Sequence, residues 1–397
     1  MFPGRSFLKY NLFMLKANKK INIGIDARMW GAKQTGIGRY ISSLSEKLVY
    51  LAPDCNFILF MRNPEYASHL KNKNIQVIKA KERWYSFGEQ LIFPARLMRH
   101  SLDVLFVPHF NVPLFWRGKF VSTIHDVTPL FYPGPLQSRY NLRKAAFKKV
   151  FESTLKKARR IIAVSSYTRD EIIKNFHADK EKITVIYEGI SALGMSGGQL
   201  TVLSTEDLNA HKDKYGLKKP YIFFVGVWRP HKNIVGLLEA FATIKKLSGG
   251  KYALVLGGEE DSRYPEIRAT WQKLGLESDI IRPGFIPDTE LPFWYKASSA
   301  VVIPSFMEGF GLVGLEAISC GASVVASLGG ATPEILQDAA VYFNPYNSEE
   351  MAQKILYVME SLEERERQRV AVAKIIPLYS WENNALQTMA ILRQAAS

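Results

Sequence analysis

The feature that most constrains the fold is an alternation of short apolar runs with helical patterns, which occurs in two successive series along the 397 residues. In the first half, seven runs rich in apolar and β-branched residues predict strands; they lie at 21–25, 57–61, 75–78, 104–107, 120–124, 161–164 and 183–186. Helical patterns fit between several of these runs, notably at 37–51, 87–99 and 166–176. Because almost wholly apolar strands separated by helices form parallel sheets covered on both faces, this half predicts a doubly wound α/β domain.

A second series of the same kind begins at Tyr221, with predicted strands at 221–225, 253–256, 280–281, 300–303, 323–326 and 340–343. Residues 191–198 are rich in glycine and small side chains, which predicts a linker between the series. We therefore predict two Rossmann-like domains, 20–195 and 200–377, with the helical segment 378–397 as a candidate to complete the first. Ligands of such sheets bind at the carboxyl ends of the strands, so the site is expected in a cleft between the domains.

Composition excludes several other classes of protein. With 47% hydrophobic and 22% charged residues, the chain is globular and not disordered. No apolar run reaches the roughly 18 residues needed to span a bilayer. The two cysteines, Cys55 and Cys320, cannot form a disulfide framework or a zinc site by themselves, which fits a reducing cytoplasm. The apolar stretch within residues 1–20 is short and interrupted by charges, so we expect a loose extension there, with an interfacial segment as the alternative and a signal peptide rejected.

The net charge of +15 comes from the first half, because residues 1–193 hold 32 Lys and Arg against 14 Asp and Glu. The densest segment runs from Arg139 to Arg160, where nine basic residues accompany one acid, Glu152. Apolar residues recur in it at helical spacing, which predicts a basic amphipathic helix. We favour a role at an anionic membrane surface over a merely solvated face. Nucleic acid is disfavoured, since no nucleic-acid-binding motif accompanies the helix.

Two acids and two glycines follow the predicted strand at 300–303. Glu308 lies just past the strand, Gly309 and Gly311 come next, and Glu316 lies where a helix continues the chain. Glycines let backbone N–H groups approach a ligand, and a helix N-terminus attracts anions. Ionised carboxylates accept strong hydrogen bonds from sugar hydroxyls. This stretch therefore suggests a pocket for a phosphorylated sugar, with an ordinary strand–turn–helix connection as the alternative.

Further polar residues and glycines follow the predicted strands of the first half. In chain order they are Asp26, Gly36, Gly38, His109, His125 and Asp126. The two glycines fit a loop that brings backbone amides to a phosphate or sugar, or else a tight turn that caps a helix. A histidine at a strand's carboxyl end, as at His125, can donate to a sugar hydroxyl or act as an acid or base; its alternative is a histidine satisfied by neighbouring backbone.

The loop after the strand at 221–225 carries two cations, Arg229 and Lys232, around Pro230. They suit a diphosphate, because Arg can chelate two oxygens and Lys supplies a mobile charge. One such group preset around a leaving group contributes roughly 3–4 kcal/mol in related sites. Two solvated surface cations are the alternative. Since the chain has no Asp-x-Asp motif and no clustered His and Asp ligands, we expect neither a metal nor a cofactor at this site.

The segment 308–316 matches the E-x7-E signature of the retaining glycosyltransferases of family 4, which have the GT-B fold, and the residues on either side resemble that family's most typical stretch. Four further segments resemble family patterns in the expected order; they are 35–40, 125–126, 230–233 and 332–334. The resemblance covers about residues 20–395. It departs from the family at Val313 and Ser323, where many members have proline, and this should alter turn stiffness more than chemistry.

The resemblance implies a role for each matching residue. Arg229 and Lys232 would hold the donor diphosphate and stabilise it as the leaving group. Glu316 would bind the ribose hydroxyls, Glu308 would position the donor sugar, and His125 would contact that sugar near its anomeric carbon. The other donor-binding residues would be Gly36, Gly38, Gly309, Phe310, Gly311 and Leu312, and we assign Asp26, His109 and Asp126 to the acceptor side.

The resemblance also implies a reaction. Retention is usually described in this family as a front-face transfer, in which the donor phosphate takes the acceptor's proton; double displacement through Glu308 is less favoured. The residues around Asp26 and at 230–233 are most similar to those of family members that transfer mannose from GDP-mannose, often in surface polysaccharide or lipopolysaccharide assembly. UDP-glucose, UDP-GlcNAc and dTDP-rhamnose remain open as donors. A lipid-linked saccharide acceptor fits the basic first domain, so we expect peripheral association with the cytoplasmic face of the cell membrane.

Two other classes of protein stay open. The first is a nucleotide-sugar epimerase or a phosphorylase on the same fold, although the chain shows neither the additional carboxylates of the epimerases nor the pyridoxal-phosphate lysine of glycogen-type phosphorylases. The second is a non-catalytic binding subunit. The presence of the whole candidate set, Glu308, Glu316, Arg229, Lys232 and His125, argues against such a degenerate protein.

Overall fold

The structure is a computed structural model that describes residues 20–31, 35–132, 140–190, 195–196, 199–200 and 203–397. The predicted N-terminal extension, apart from Lys20, lies outside the described residues. The same is true of most of the predicted linker at 191–198 and of the first residue, Arg139, of the predicted basic segment.

Seven parallel strands form the sheet of the first domain, and each corresponds to a predicted one. Their bounds are β1 (Asn22–Asp26), β2 (Asn56–Met61), β3 (Ile75–Lys79), β4 (Val104–Val107), β5 (Phe120–Ile124), β6 (Arg160–Ala163) and β7 (Ile183–Val185). The order β3-β2-β1-β4-β5-β6-β7 is that of a doubly wound sheet, in which the direction of the strand order reverses between β1 and β4. The helices of this domain are α1 (Thr35–Leu51), α2 (Phe87–Leu97), α3 (Thr128–Phe131), α4 (Tyr140–Lys157) and α5 (Ser166–Phe176).

The strands of this sheet are apolar on both faces because helices cover both faces. In β2, Phe57 and Leu59 are buried in a cluster with residues of α1, whereas Ile58 and Phe60 are buried on the other side with residues of α2 and α4. Successive side chains of a strand point to opposite faces, so a strand buried on both faces reads as a continuous apolar run. The parallel sheet predicted from those runs is confirmed.

The predicted basic helix is confirmed as α4. Its Phe151 and Leu155 are buried in the first domain, and the Phe147 ring lies 4.9 Å from that of Phe110. Its exposed face carries five lysines, Lys144, Lys148, Lys149, Lys156 and Lys157. The apolar side of this helix is therefore used for packing within the domain.

A short antiparallel pair, β8 (Met195–Ser196) and β9 (Gln199–Leu200), lies between the two sheets in the chain. The second sheet has six parallel strands, β10 (Tyr221–Val225), β11 (Ala253–Gly257), β12 (Ile280–Gly284), β13 (Ala300–Ile303), β14 (Val324–Ser327) and β15 (Ala340–Phe343). Their order is β12-β11-β10-β13-β14-β15. The helices that follow β9 are α6 (Thr205–Lys214), α7 (Ile234–Leu247), α8 (Glu266–Lys273), α9 (Leu291–Ala297), α10 (Leu312–Ser319), α11 (Thr332–Leu336), α12 (Ser348–Glu360), α13 (Leu362–Ile375) and α14 (Trp381–Ala396).

The last helix, α14, packs on the first domain. Its Ala385, Met389 and Leu392 recur at helical spacing and are buried in the same cluster as the residues of α1. The Trp381 ring lies 5.7 Å from the Tyr40 ring, and the Asn384 amide donates to the Tyr187 carbonyl at 2.7 Å. The C-terminal helix therefore belongs to the core of the domain that begins the chain.

Two doubly wound sheets connected in this way confirm the predicted α/β, GT-B-type architecture. The loop that follows β13 touches the loop that follows β5, so the carboxyl edges of the two sheets meet across the domain interface. Within the described part of the chain, no helix combines the length and the apolar character that a membrane span requires.

Candidate active site

The loop after β10 holds Lys232 in a fixed turn. Pro230–Lys232 form a single turn of 3-10 helix, and Asn233 follows with φ of 52° as the N-cap of α7. The Asn233 amide donates to the carbonyls of Pro304 at 3.0 Å and Pro345 at 2.8 Å. Asparagine tolerates this left-handed conformation better than most residues, which explains its place in the motif. The loop is thereby tied to the end of β13, where the candidate acid Glu308 follows.

Lys232 and Glu308 form an ion pair in which Nζ lies 2.7 Å from Oε1. The Ser305 hydroxyl donates to the same oxygen at 2.5 Å. Burial raises the pKa of Glu308, but the charge and hydrogen bond of Lys232 outweigh it, so the pKa lies below its usual value. Glu308 is therefore an ionised acceptor at neutral pH, held beside a cation.

The backbone of Glu308 rests against Gly330, a contact that leaves no room for a side chain. A Cβ on Gly330 would lie 2.3 Å from the Glu308 nitrogen, and its φ of 70° also favours glycine. The next residue, Ala331, donates its N–H to the Glu308 carbonyl at 2.8 Å. The contact of Gly330 with Glu308 could not be predicted from the sequence, because a pair of glycines after a strand is typical of any turn.

Gly309 is the point at which the second domain touches the first. A Cβ here would lie 1.8 Å from the His125 carbonyl oxygen, so only glycine fits. The Gly309 carbonyl accepts from the hydroxyls of Ser165 at 2.7 Å and Thr168 at 3.1 Å. The predicted donor turn is therefore also a domain contact.

A second contact between the domains is made by Glu334 of α11. Its carboxylate accepts from the backbone N–H groups of Ser166 at 2.7 Å and Tyr167 at 2.9 Å, and from the Tyr187 hydroxyl at 2.9 Å. These N–H groups open α5, where the helix leaves its first donors without internal partners. A carboxylate from one domain thus caps a helix of the other.

His125 has partners at both ring nitrogens. Nε2 lies 2.9 Å from the Pro108 carbonyl, which only accepts, and Nδ1 lies 2.9 Å from the carboxylate of Glu188. Burial lowers the pKa of His125, but the hydrogen bond and charge of Glu188 outweigh it and the pKa is raised. Two acceptors at the two nitrogens favour an imidazolium that donates to both. Sequence reasoning missed Glu188, which is 3% exposed and lies beyond the end of β7.

Glu316 lies on α10, one turn after Leu312, and both of its oxygens have partners. Oε2 accepts from the Tyr295 hydroxyl at 3.1 Å, and Oε1 pairs with the Arg39 guanidinium from α1 of the first domain. Burial raises the pKa of Glu316, and Arg39 opposes that rise. Gly36 lies close by, since a Cβ on it would be 3.8 Å from Leu312. Gly36 and Gly38 therefore lie in the first turns of α1 and not in the predicted loop, and this end of α1 faces the helix that carries Glu316.

Asp26 and His109 lie in a buried network of polar and charged side chains in the first domain. Arg28 donates to Asp26 at 2.7 Å and to Glu89 at 2.7 Å, and all three side chains are almost completely buried. His109 Nε2 lies 3.5 Å from the Asp26 carboxylate, with both residues at most 2% exposed. Their assignment to the acceptor side stays a prediction, and the contacts seen are structural ones.

The interface thus brings together most of the predicted residues. Those that share contacts in this region are Gly36, His125, Asp126, Lys232, Glu308, Gly309, Leu312 and Glu316. Gly311 has φ of 91° and precedes α10, Phe310 is buried beside it, and Gly38 is buried in α1. Arg229 is exposed on the loop that carries Lys232, and Asp126 accepts a hydrogen bond from the N–H of Thr128, the first residue of α3, at 2.8 Å.

Two family models match the chain, one in each domain. A model described as Glycosyltransferase Family 4 matches residues 35–193, and a model described as Glycosyl transferases group 1 matches residues 207–374. The first match ends shortly after β7, the last strand of the first sheet, and the second match includes all six strands of the second sheet. Both halves of the molecule are thus accounted for by models of sugar-transferring enzymes.

Individual proteins with similar sequences and structures agree with these matches. The chain is 29% identical over 382 residues to O-antigen chain mannosyltransferase B of Escherichia coli, which covers 89% of this chain and 95% of that protein. It is 26% identical over 262 residues, 66% of each chain, to O-antigen chain mannosyltransferase RfbU of Salmonella typhimurium. A solved glycosyltransferase from Rickettsia africae ESF-5 has a TM-score of 0.71 at 20% identity, with 96% of this chain and 99% of that chain covered, and this likeness shows the fold alone.

Proposed function

The chain belongs to glycosyltransferase family 4 and has the GT-B fold, and we propose that it transfers mannose from GDP-mannose to a saccharide acceptor with retention of configuration. The observation that carries the choice of sugar is the alignment of 89% of the chain with an O-antigen chain mannosyltransferase. By the same relationship, the acceptor is a lipid-linked saccharide or polysaccharide of surface-polysaccharide assembly. The Lys232–Glu308 pair at the domain interface supports a site for a diphosphate and a sugar.

In this proposal, Lys232 and Arg229 bind the donor diphosphate. When the bond between the anomeric carbon and the phosphate oxygen breaks, negative charge grows on the diphosphate and is stabilised by cations already in position. Glu308 then accepts hydrogen bonds from the hydroxyls of the sugar, while its backbone is fixed against Gly330. These cations do the work that a divalent metal does in other transferases, so no metal or other cofactor is proposed.

The proton of the acceptor passes to the donor phosphate in this scheme. The acceptor oxygen forms its bond to the anomeric carbon on the face that the diphosphate leaves, and its proton goes to an oxygen of the departing phosphate. His125 is not proposed as the base, since both of its ring nitrogens already donate to Pro108 and Glu188. Its role is to hold a positive charge and the first-domain loop at the cleft.

The test is nucleotide release from a panel of GDP-mannose, UDP-glucose, UDP-GlcNAc and dTDP-rhamnose, with and without lipid-linked saccharide acceptors. GDP-mannose should be turned over preferentially, and turnover should persist in EDTA. Turnover of a UDP- or dTDP-sugar instead would overturn the donor assignment. The anomeric configuration of the product, determined by NMR, tests retention, and Glu308→Gln is the control for activity from a contaminating enzyme.

We also propose that the exposed face of α4 holds the protein on the cytoplasmic face of an anionic membrane. Because the apolar side of α4 packs within the domain, the attraction would be electrostatic, at about 1 kcal/mol for each Lys or Arg near the surface. Phe115, which is 61% exposed, lies on a loop beside the helix, and that loop is held by a 2.8 Å hydrogen bond from Lys157 to the Leu114 carbonyl. Phe87 and Leu91 of α2 are also exposed and would add an apolar contact.

Sedimentation with vesicles tests this membrane contact. Binding to phosphatidylglycerol-containing vesicles should exceed binding to phosphatidylcholine vesicles and should weaken as salt is added. Charge reversal of Lys148, Lys149 and Lys156 to Glu should abolish it. The matched control reverses three exposed lysines of the second domain, Lys218, Lys246 and Lys273, and should leave binding nearly unchanged. Equal loss in both triple variants would mean that net charge, and not this face, is responsible.

A further inference from the structure

Arg39 of the first domain contacts Glu316 of the second, the carboxylate to which the family resemblance assigns the donor ribose. Its guanidinium, on the first turns of α1, contacts Glu316 Oε1 and lies 3.2 Å from the Asp288 carboxylate of the second domain. The side chain of Glu316 is 6% exposed, whereas that of Arg39 is 31% exposed. The contact therefore lies at the edge of the cleft, with the acid inside and the cation towards solvent.

The other oxygen of Glu316 is fixed from within the second domain. Tyr295 donates to it at 3.1 Å, and that tyrosine is completely buried. A vicinal diol binds a carboxylate best when each hydroxyl donates to an oxygen that is free to accept. Oε2 remains bonded to Tyr295, so a ribose hydroxyl would compete with Arg39 for Oε1.

We propose that Arg39 competes with the donor ribose for Glu316, so that it is a specificity-determining residue which opposes nucleotide binding until the ribose hydroxyls replace it. The proposal rests on the proposed function, since it takes Glu316 to be the ribose acid. A nucleotide with both hydroxyls must displace Arg39 to reach Glu316, whereas a nucleotide without them leaves the Arg39–Glu316 contact in place. Arg39 therefore reduces the gain in affinity that the two hydroxyls would otherwise give.

The test compares two ligands that differ only in the ribose hydroxyls, GDP and 2′,3′-dideoxy-GDP, by calorimetry on the full-length chain. In Arg39→Ala, GDP should bind more tightly by about tenfold, which corresponds to about 1.4 kcal/mol, while dideoxy-GDP should change little. Asp288→Asn should shift the GDP affinity in the same direction but less, because it weakens the hold on Arg39 and leaves the guanidinium in place. The UDP and 2′,3′-dideoxy-UDP pair should behave alike, because the competition does not involve the base.

The matched control is Arg393→Ala. Arg393 has almost the same exposure as Arg39, 32% against 31%, and pairs with Asp54 on the outer side of the first domain. This variant should leave both affinities unchanged. Equal weakening of GDP and dideoxy-GDP in Arg39→Ala would show that Arg39 binds phosphate, and an unchanged ratio of the two affinities would show that it does not meet the ribose; either result overturns the proposal. If the unmodified protein bound none of these nucleotides, the proposed function itself would fail.

Discussion

Removal of the Lys232 ammonium group should affect both turnover and stability, because this group is proposed to bind the donor diphosphate and also pairs with Glu308. Lys232→Met keeps most of the side chain's length and apolar stem but removes the ammonium group. The donor diphosphate then loses one of its two cations. Glu308, whose side chain is 15% exposed, loses the partner that lies 2.7 Å away. We therefore expect loss of both turnover and stability, whereas a solvated surface lysine would affect neither.

The two losses differ in size. Removal of one group that stabilises charge in the transition state costs about 3–4 kcal/mol, so kcat should fall by roughly 10²- to 10³-fold. Breaking a fully buried ion pair costs about 3–5 kcal/mol and an exposed pair contributes about 0–1, so this partly buried pair should contribute about 1–3. At about 2–4 °C per kcal/mol for a domain of this size, the melting temperature should fall by about 2–12 °C.

The loss of stability should depend on pH in a defined direction. In the unmodified protein the pKa of Glu308 is lowered, so its contribution is present above the unfolded pKa and is lost as pH falls through the folded pKa. In Lys232→Met, burial remains without the opposing cation, so the pKa should rise and protonation should relieve the cost. The difference in melting temperature should therefore be larger at pH 8 than at pH 5.

The double variant Lys232→Met/Glu308→Gln separates the two roles. It should recover most of the melting temperature, because no charge is left buried, but none of the turnover measured by nucleotide release. Lys245→Met is the matched control: its ion pair with Asp279, at 2.8 Å, lies at the far end of α7, so stability should fall while kcat is kept. Unchanged kcat in Lys232→Met, or recovery of kcat in the double variant, would show that the Lys232 ammonium group does not stabilise the leaving diphosphate.

Three further predictions concern the residues around the site. Arg28→Met leaves the buried carboxylates of Asp26 and Glu89 without their shared cation and should cost about 3–5 kcal/mol, measured as a fall in melting temperature. Burial raises the pKa of Asp26 and the charge of Arg28 outweighs that rise, so without Arg28 the fall should be smaller at pH 5 than at pH 8. Glu334→Ala removes a helix cap supplied across the domain interface, so small-angle scattering should show a larger radius of gyration; an unchanged radius would contradict the contact's importance. Glu188→Gln should lower the pKa of the His125 imidazole in an NMR titration, because the Glu188 carboxylate raises that pKa; an unshifted titration would contradict the pairing.

The sequence was sufficient for the sheets because each strand carries its own signal. A strand that is buried on both faces appears in the sequence as a short apolar run, and such runs alone were enough to predict β10 and β13. The same logic located Lys232 and Glu308, because loops after parallel strands meet at one edge of the sheet. Local patterns thus predicted the part of the site that one domain builds by itself.

The partners of these residues were not predictable, because they come from other elements. Tyr295 is an aromatic residue on an apolar helix, so its sequence context predicts a core residue, although its hydroxyl donates to Glu316. Glu188 follows a three-residue strand in a run without a motif, and nothing local indicates that it faces His125. Arg39 meets Glu316 only because of how the two domains are oriented, and no pattern within either domain encodes that orientation.

These contacts have a common consequence for the donor site. Gly309 and Glu316, two residues predicted to bind the donor, also hold the second domain against the first, through Ser165 and Arg39. A donor that used the Glu316 carboxylate would have to replace one domain contact, whereas the Gly309 carbonyl contact could remain, because donor binding at this turn requires its N–H groups. Donor affinity and domain orientation should therefore be coupled at Glu316 and much less at Gly309. Ser165→Ala should therefore weaken the domain interface. Unlike Arg39→Ala, it should leave the ratio of the affinities for GDP and 2′,3′-dideoxy-GDP unchanged.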